Sequence, residues 1–166
     1  MTRTIAAALL VAALSPAAAL AADAYEIMGK DGKAIGSLSL TEAPSGVLME
    51  LELQPSSMEP GKHGLHFHET ADCSDVGQYK KSGSHAGHAE GKHGLLNPNG
   101  PEPGDLPNLV VGADGSAKVE LFTGLIKLDG LKDANGSALI IHAKADDHKS
   151  QPIGGAGDRV ACAAIK

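Results

Sequence analysis

The chain has 166 residues, a formal net charge of −6 and two cysteines. That length fits one domain, and an acidic balance without a long Lys/Arg run excludes nonspecific nucleic-acid binding. Trp is absent and only two Phe and two Tyr occur, so the core falls to Val, Ile, Leu and Ala, while 21 glycines and nine prolines argue for many turns and against a helical bundle.

In chain order, residues 1–21 come first. Arg3 precedes an apolar run from Ile5 to Leu14, followed by small residues and an Ala19-Leu20-Ala21 cleavage pattern. This reads as a secretory signal, which leaves a mature domain at 22–166. Pro16 interrupts the run, which is short of the ~20 residues a membrane span needs. No later stretch is apolar for long enough, so no membrane partner is expected after cleavage.

The next segments alternate apolar and polar residues at period two. They are Ala24–Met28, Ser37–Glu42, Val47–Leu53, Ala117–Phe122, Ala138–Ala143 and Arg159–Ile165. Asp31-Gly32, Ala113-Asp114-Gly115 and Asn135-Gly136 punctuate them as turns. Two stretches do not read as strands: one from about Glu69 to Pro107, the other Lys144–Asp158. Loops of such length tend to be functional. No internal repeat or linker marks a second domain. The fold expected is all-β, an antiparallel Greek-key sandwich or barrel with two long functional loops. Cys73 and Cys162 pair, as two cysteines in an exported chain usually do; two free thiols are the alternative.

The segment HGLHFHETADC (63–73) holds three of the eight histidines. In a strand, positions i and i+2 share a face, so His66 and His68 stand side by side and Phe67 points away. A surface pair is the bland reading. Against it, His85, His88 and His93 follow in one loop, then Asp105, and His142 ends an apolar strand where an unpaired imidazole is costly. Imidazole-dominated sites suit copper and zinc, and the two distant cysteines do not form a thiolate cluster.

GLHFHE, GSH followed eight residues later by KHG, GDLPNLVVGADG, IIHAKADD and GGAGDRVACAAI stand in the order found in copper/zinc superoxide dismutases. The chain resembles the bacterial periplasmic branch of that family over nearly all of its mature length. The resemblance implies a periplasmic enzyme that converts superoxide, its small anionic substrate, to dioxygen and hydrogen peroxide. It implies one copper and one zinc per subunit and allows a homodimer. His66, His68, His85 and His142 would ligate copper, with His85 bridging to zinc beside His93 and Asp105. His85 would also accept a proton and pass it to the product. Asp146 would hydrogen-bond one copper and one zinc histidine, taken as His66 and His93. Arg159 would guide the anion, and Cys73–Cys162 matches the family disulfide. His63 matches a framework position, and His148 is expected to be solvated or to face the approaching anion. Lys80, Lys81, Lys144 and Lys149 are candidates for local positive guidance.

Two positions depart from the family pattern. Glu102 stands where a third zinc histidine is usual, three residues before Asp105. Ala86-Gly87-His88 replaces the usual Asn-Pro after the bridging histidine. Three readings stay open: Glu102 completes the zinc set, His88 does so, or the site is weak. A non-enzymatic periplasmic copper/zinc-binding protein is the alternative function, although storage needs neither Arg159 nor Asp146.

Overall fold

The computed structural model describes residues 22–88 and 92–166; the expected signal, 1–21, lies outside the described residues. Nine strands are present among them: β1 (Asp23–Gly29), β2 (Ala34–Ala43), β3 (Gly46–Leu53), β4 (Gly61–His63), β5 (Leu65–His68), β6 (Leu109–Val111), β7 (Ala117–Thr123), β8 (Ser137–His142) and β9 (Arg159–Ile165). Seven form one curved sheet in the order β5-β8-β9-β1-β2-β3-β7, while β4 and β6 pair separately. Every pairing is antiparallel. After the β1–β2–β3 meander the chain crosses to the far edge at β5, returns to β7 beside β3, then crosses again to β8. These are Greek-key connections.

The alternation seen in sequence becomes the core. Along β3, Val47, Met49, Leu51 and Leu53 are buried while Glu50 and Glu52 face solvent. Their register sets Leu51 between Leu38 and Val119, and Met49 between Leu40 and Leu121. A one-residue slip would expose all four apolar side chains, so the pattern fixes the pairing. Among the described residues, helix is limited to one turn at Leu128–Leu131 and a 3-10 turn at Lys80–Ser82.

At the β5–β8 end the pattern changes, because both faces are covered. All four residues of β5 and all six of β8 are buried. Leu65, Phe67, Leu139 and Ile141 enter the main core. On the outer face Ala138 and Ile140 pack with Tyr79 and Cys162 beneath the long first loop. The Cys73–Cys162 disulfide, with Cα atoms 5.9 Å apart, pins that loop to β9. His66 and His68 stand on this covered outer face. A second stretch of the same loop is laced to β5 by backbone bonds, from Phe67 N to Gly104 O at 2.9 Å and from Ala86 N to Phe67 O at 2.8 Å. Gly104 permits the approach, since a Cβ there would lie 2.4 Å from Phe67 O.

The strands β4 and β6 are additions to the sequence reading. Each has three residues, too few for a period-two signal.

Candidate metal centre

Four histidines converge on the outer face of the β5–β8 pair. His66 and His68 come from β5, His142 from the end of β8, and His85 from the first loop through an isolated bridge to His68. All four are buried. One ring nitrogen of each forms a set whose members lie within 4.8 Å of one another. The other nitrogen of each ring is spoken for. His66 Nε2 donates to Asp146 Oδ2 at 2.8 Å, His68 Nδ1 to Gly83 O at 2.9 Å, and His142 Nδ1 to Gly157 O at 3.0 Å. His85 Nδ1 lies 2.7 Å from Glu102 Oε2. The facing atoms, His66 Nδ1, His68 Nε2, His85 Nε2 and His142 Nε2, have no hydrogen-bond partner among the described residues. Four buried ring nitrogens do not remain orphaned at one point without a shared partner.

Electrostatics keep three of these rings, His66, His68 and His142, neutral. Burial lowers the pKa of His66 and of His142, the latter to about 3, and puts His68 well below the ordinary value. The neighbouring imidazoles act in the same direction. Their lone pairs are therefore not blocked by protons at neutral pH.

A second cluster adjoins the first through His85. It consists of His85, His93, Glu102 and Asp105, again buried and with donor atoms within 4.8 Å of one another. His93 Nδ1 donates to Asp105 Oδ1 at 2.7 Å, and its Nε2 donates to Asp146 Oδ1 at 3.2 Å. Burial disfavours a charged ring there, but hydrogen bonds to the two carboxylates outweigh it and raise His93 to about 10. Burial likewise opposes ionisation of Asp105 and Asp146. Hydrogen bonds with His85 and His93 hold Asp105 far below the usual carboxylate range, and those with His66 and His93 do the same for Asp146. Asp146 thus spans both clusters, and Asn108 clamps its backbone through both N–H and C=O.

His88 does not join the second donor set. Its Nδ1 donates to Glu102 Oε1 at 2.6 Å while its side chain stays 56 % exposed. His63 stands apart, with its nitrogens 2.7 Å from His142 O and 2.9 Å from Glu59 O. His148 is not simply solvated: its backbone N–H donates to Asp146 Oδ1 and its ring sits beside Asn108.

Arg159 pairs with His142 across the β8–β9 bulge. Its guanidinium donates to Tyr79 O, Ser82 Oγ and Gly83 O at 2.8, 2.9 and 2.8 Å. Burial lowers its pKa somewhat. A cleft of about 310 Å³ opens beside it, lined also by Lys80 and Gly157. Of the four candidate lysines, Lys80 is the one that lines this cleft. Sequence reasoning missed Ser82 and the three carbonyls, of Tyr79, Gly83 and Gly157. A carbonyl leaves no side-chain signal, because every residue has one.

A family model described as copper/zinc superoxide dismutase (SODC) matches residues 34–165. The chain belongs to the copper/zinc superoxide dismutase family. It is 49 % identical over 143 residues to "Superoxide dismutase [Cu-Zn]" of Caulobacter vibrioides, covering 82 % of this chain and 80 % of that one. A superoxide dismutase-like protein from Bacillus subtilis superposes with a TM-score of 0.79 at 30 % identity, over 88 % of this chain and all of that one. The Cu/Zn superoxide dismutase from Brucella abortus gives 0.71 at 26 %, over 88 % and 100 %. As a copper/zinc superoxide dismutase the chain is an enzyme, with copper and zinc as its cofactors. The donor chemistry fits both ions. Four imidazole nitrogens suit copper, and a mixed nitrogen and carboxylate set suits zinc.

Proposed function

We propose that His66, His68, His85 and His142 hold copper, and that His85, His93, Glu102 and Asp105 hold zinc, for superoxide dismutation in the periplasm. The observation that carries this reading is the quartet of mutually close, orphaned ring nitrogens. Glu102 replaces a histidine as the fourth zinc donor, since Oε2 lies 2.7 Å from His85 Nδ1 while His88 stays outside. Residues 1–21 are removed on export and 22–166 form the mature enzyme, consistent with a disulfide that needs an oxidising compartment.

Copper supplies one-electron cycling, which zinc cannot. The residues do the rest. The guanidinium of Arg159 has five N–H donors. Three hydrogen bonds fix it in place, which leaves two donors for a small anion at the cleft. His85 Nε2 has one lone pair, so it would hold a proton only when it is not donating to the ion, and would pass that proton to the reduced product. In total, two superoxide ions and two protons give dioxygen and hydrogen peroxide. Asp146 fixes the rings of His66 and His93 together, so the two metal sites share one orienting carboxylate.

The test is superoxide removal by the copper- and zinc-loaded protein against its metal-free form. A loaded protein no faster than the metal-free one rejects the reading. For the zinc set, Glu102→His tightens zinc binding in a competition titration; unchanged affinity would mean that position 102 is not a ligand.

A further inference from the structure

We propose that His88 is the positioning partner of Glu102: its Nδ1–H occupies Oε1 and leaves Oε2 as the single oxygen offered to a divalent ion. This rests on the reading of Glu102 as a zinc ligand.

The two departures from the family pattern are in contact. His88 Nδ1 lies 2.6 Å from Glu102 Oε1, while Oε2 faces His85 Nδ1 at 2.7 Å. The Glu102 side chain is 1 % exposed. Among the described residues, the bond from His88 is the one that Oε1 makes. A buried carboxylate oxygen needs such a donor.

The loop is built to place this ring. His88 N donates to His85 O at 3.2 Å, closing a turn with Gly87 at φ 69°. Positive φ at the third position is what a type II turn requires. The turn presses on the residue next to Glu102, since a Cβ at Gly87 would lie 2.3 Å from Pro103 Cγ. Ligating histidines ordinarily take an outer carboxylate. Here the order is reversed, with the carboxylate inside and the imidazole outside.

The consequence is a coordination number. A free carboxylate can bind through both oxygens, as calcium and other oxygen-seeking ions favour, whereas zinc in closed sites takes four ligands. Holding Oε1 makes Glu102 a one-oxygen donor, which favours four-coordinate zinc. The same bond fixes the carboxylate rotamer before the ion arrives.

The experiment uses the mature protein with copper loaded and kept reduced, and the second site filled with zinc or cobalt(II). Zinc affinity is read against a chromophoric chelator, and coordination from the intensity of the cobalt visible bands. His88→Ala weakens zinc binding by about 10–100-fold, the usual loss for an outer partner, and lowers the cobalt intensity as coordination rises above four. His88→Asn, whose amide nitrogen stands near the Nδ1 position, restores both. The proposal is overturned if Ala and Asn weaken zinc equally, which would make His88 itself a ligand. It is also overturned if Ala changes neither readout while Glu102→Gln weakens zinc. If Glu102→Gln leaves zinc affinity untouched, Glu102 is not a ligand, and both readings fall together.

Discussion

The two donor clusters share His85 and Asp146 yet differ in how they are held before metal arrives. In the four-histidine cluster each ring has one nitrogen anchored and the other open, and His66, His68 and His142 are held neutral by burial. In the carboxylate cluster the donors satisfy one another, with His93 protonated between Asp105 and Asp146. The first is poised to bind; the second must give up a proton from His93 Nδ1 before that nitrogen can ligate. Pre-organisation by apolar burial and pre-organisation by internal ion pairing thus stand side by side in one fold.

The largest break in this comparison is His142→Ala. It removes one of the four open nitrogens and brings copper-dependent superoxide removal to background, a fall greater than the ~100-fold that loss of an outer partner causes. Metal analysis and a dismutase assay check it, and retained turnover would contradict the copper set. Asp146→Asn comes next. An amide can accept from one imidazole N–H but presents a donor to the other, so one anchor is lost. Zinc affinity drops by about 10–100-fold, and copper affinity by less, because His68 and His142 keep their carbonyl anchors. Equal losses at both sites would show that the clusters are not independently held.

Arg159→Lys keeps the charge and loses the fork. Losing one charge-assisted hydrogen bond of about 1.5 kcal/mol gives roughly a tenfold fall in kcat/KM at unchanged copper content. The pH dependence of stability is the most direct measure of the contrast. His66, His68 and His142 have lowered folded-state values, so acid protonates them in the unfolded chain first. Stability of the metal-free protein therefore falls as pH drops below about 6.5, by up to about 1.4 kcal/mol per pH unit for each ring. His93, raised to about 10, contributes stability that is full below about 6.5 and lost as pH rises toward that value. Denaturant melts across pH 4.5–9.5 give a maximum near 6.5 with the steeper limb on the acid side. A steeper alkaline limb would mean that the carboxylate cluster dominates.

Much of this was readable in the chain. Period-two alternation gave β3 to within one residue of its bounds and β9 at both ends, Arg159–Ile165. The H-x-H spacing placed His66 and His68 on one face and Phe67 in the core. The three-residue strands β4 and β6 were too short to carry a period. Nor could His88 be assigned: its neighbour Glu102 is 14 positions away, and only the turn at Gly87 brings them to 2.6 Å.

The sequence by itself determined the strand faces, the candidate donor residues and the two positions where the family pattern breaks. These follow from side-chain chemistry and from periodicity, which are properties of neighbouring residues. Tertiary structure alone decided which nitrogen of each ring is open and which carbonyls anchor the others, and it brought Asp146 to His66 and His93, the contacts that the family resemblance implies. Those outcomes depend on close approach between segments up to 80 residues apart, from His66 to Asp146 and from Tyr79 to Arg159, and local patterning carries no record of it.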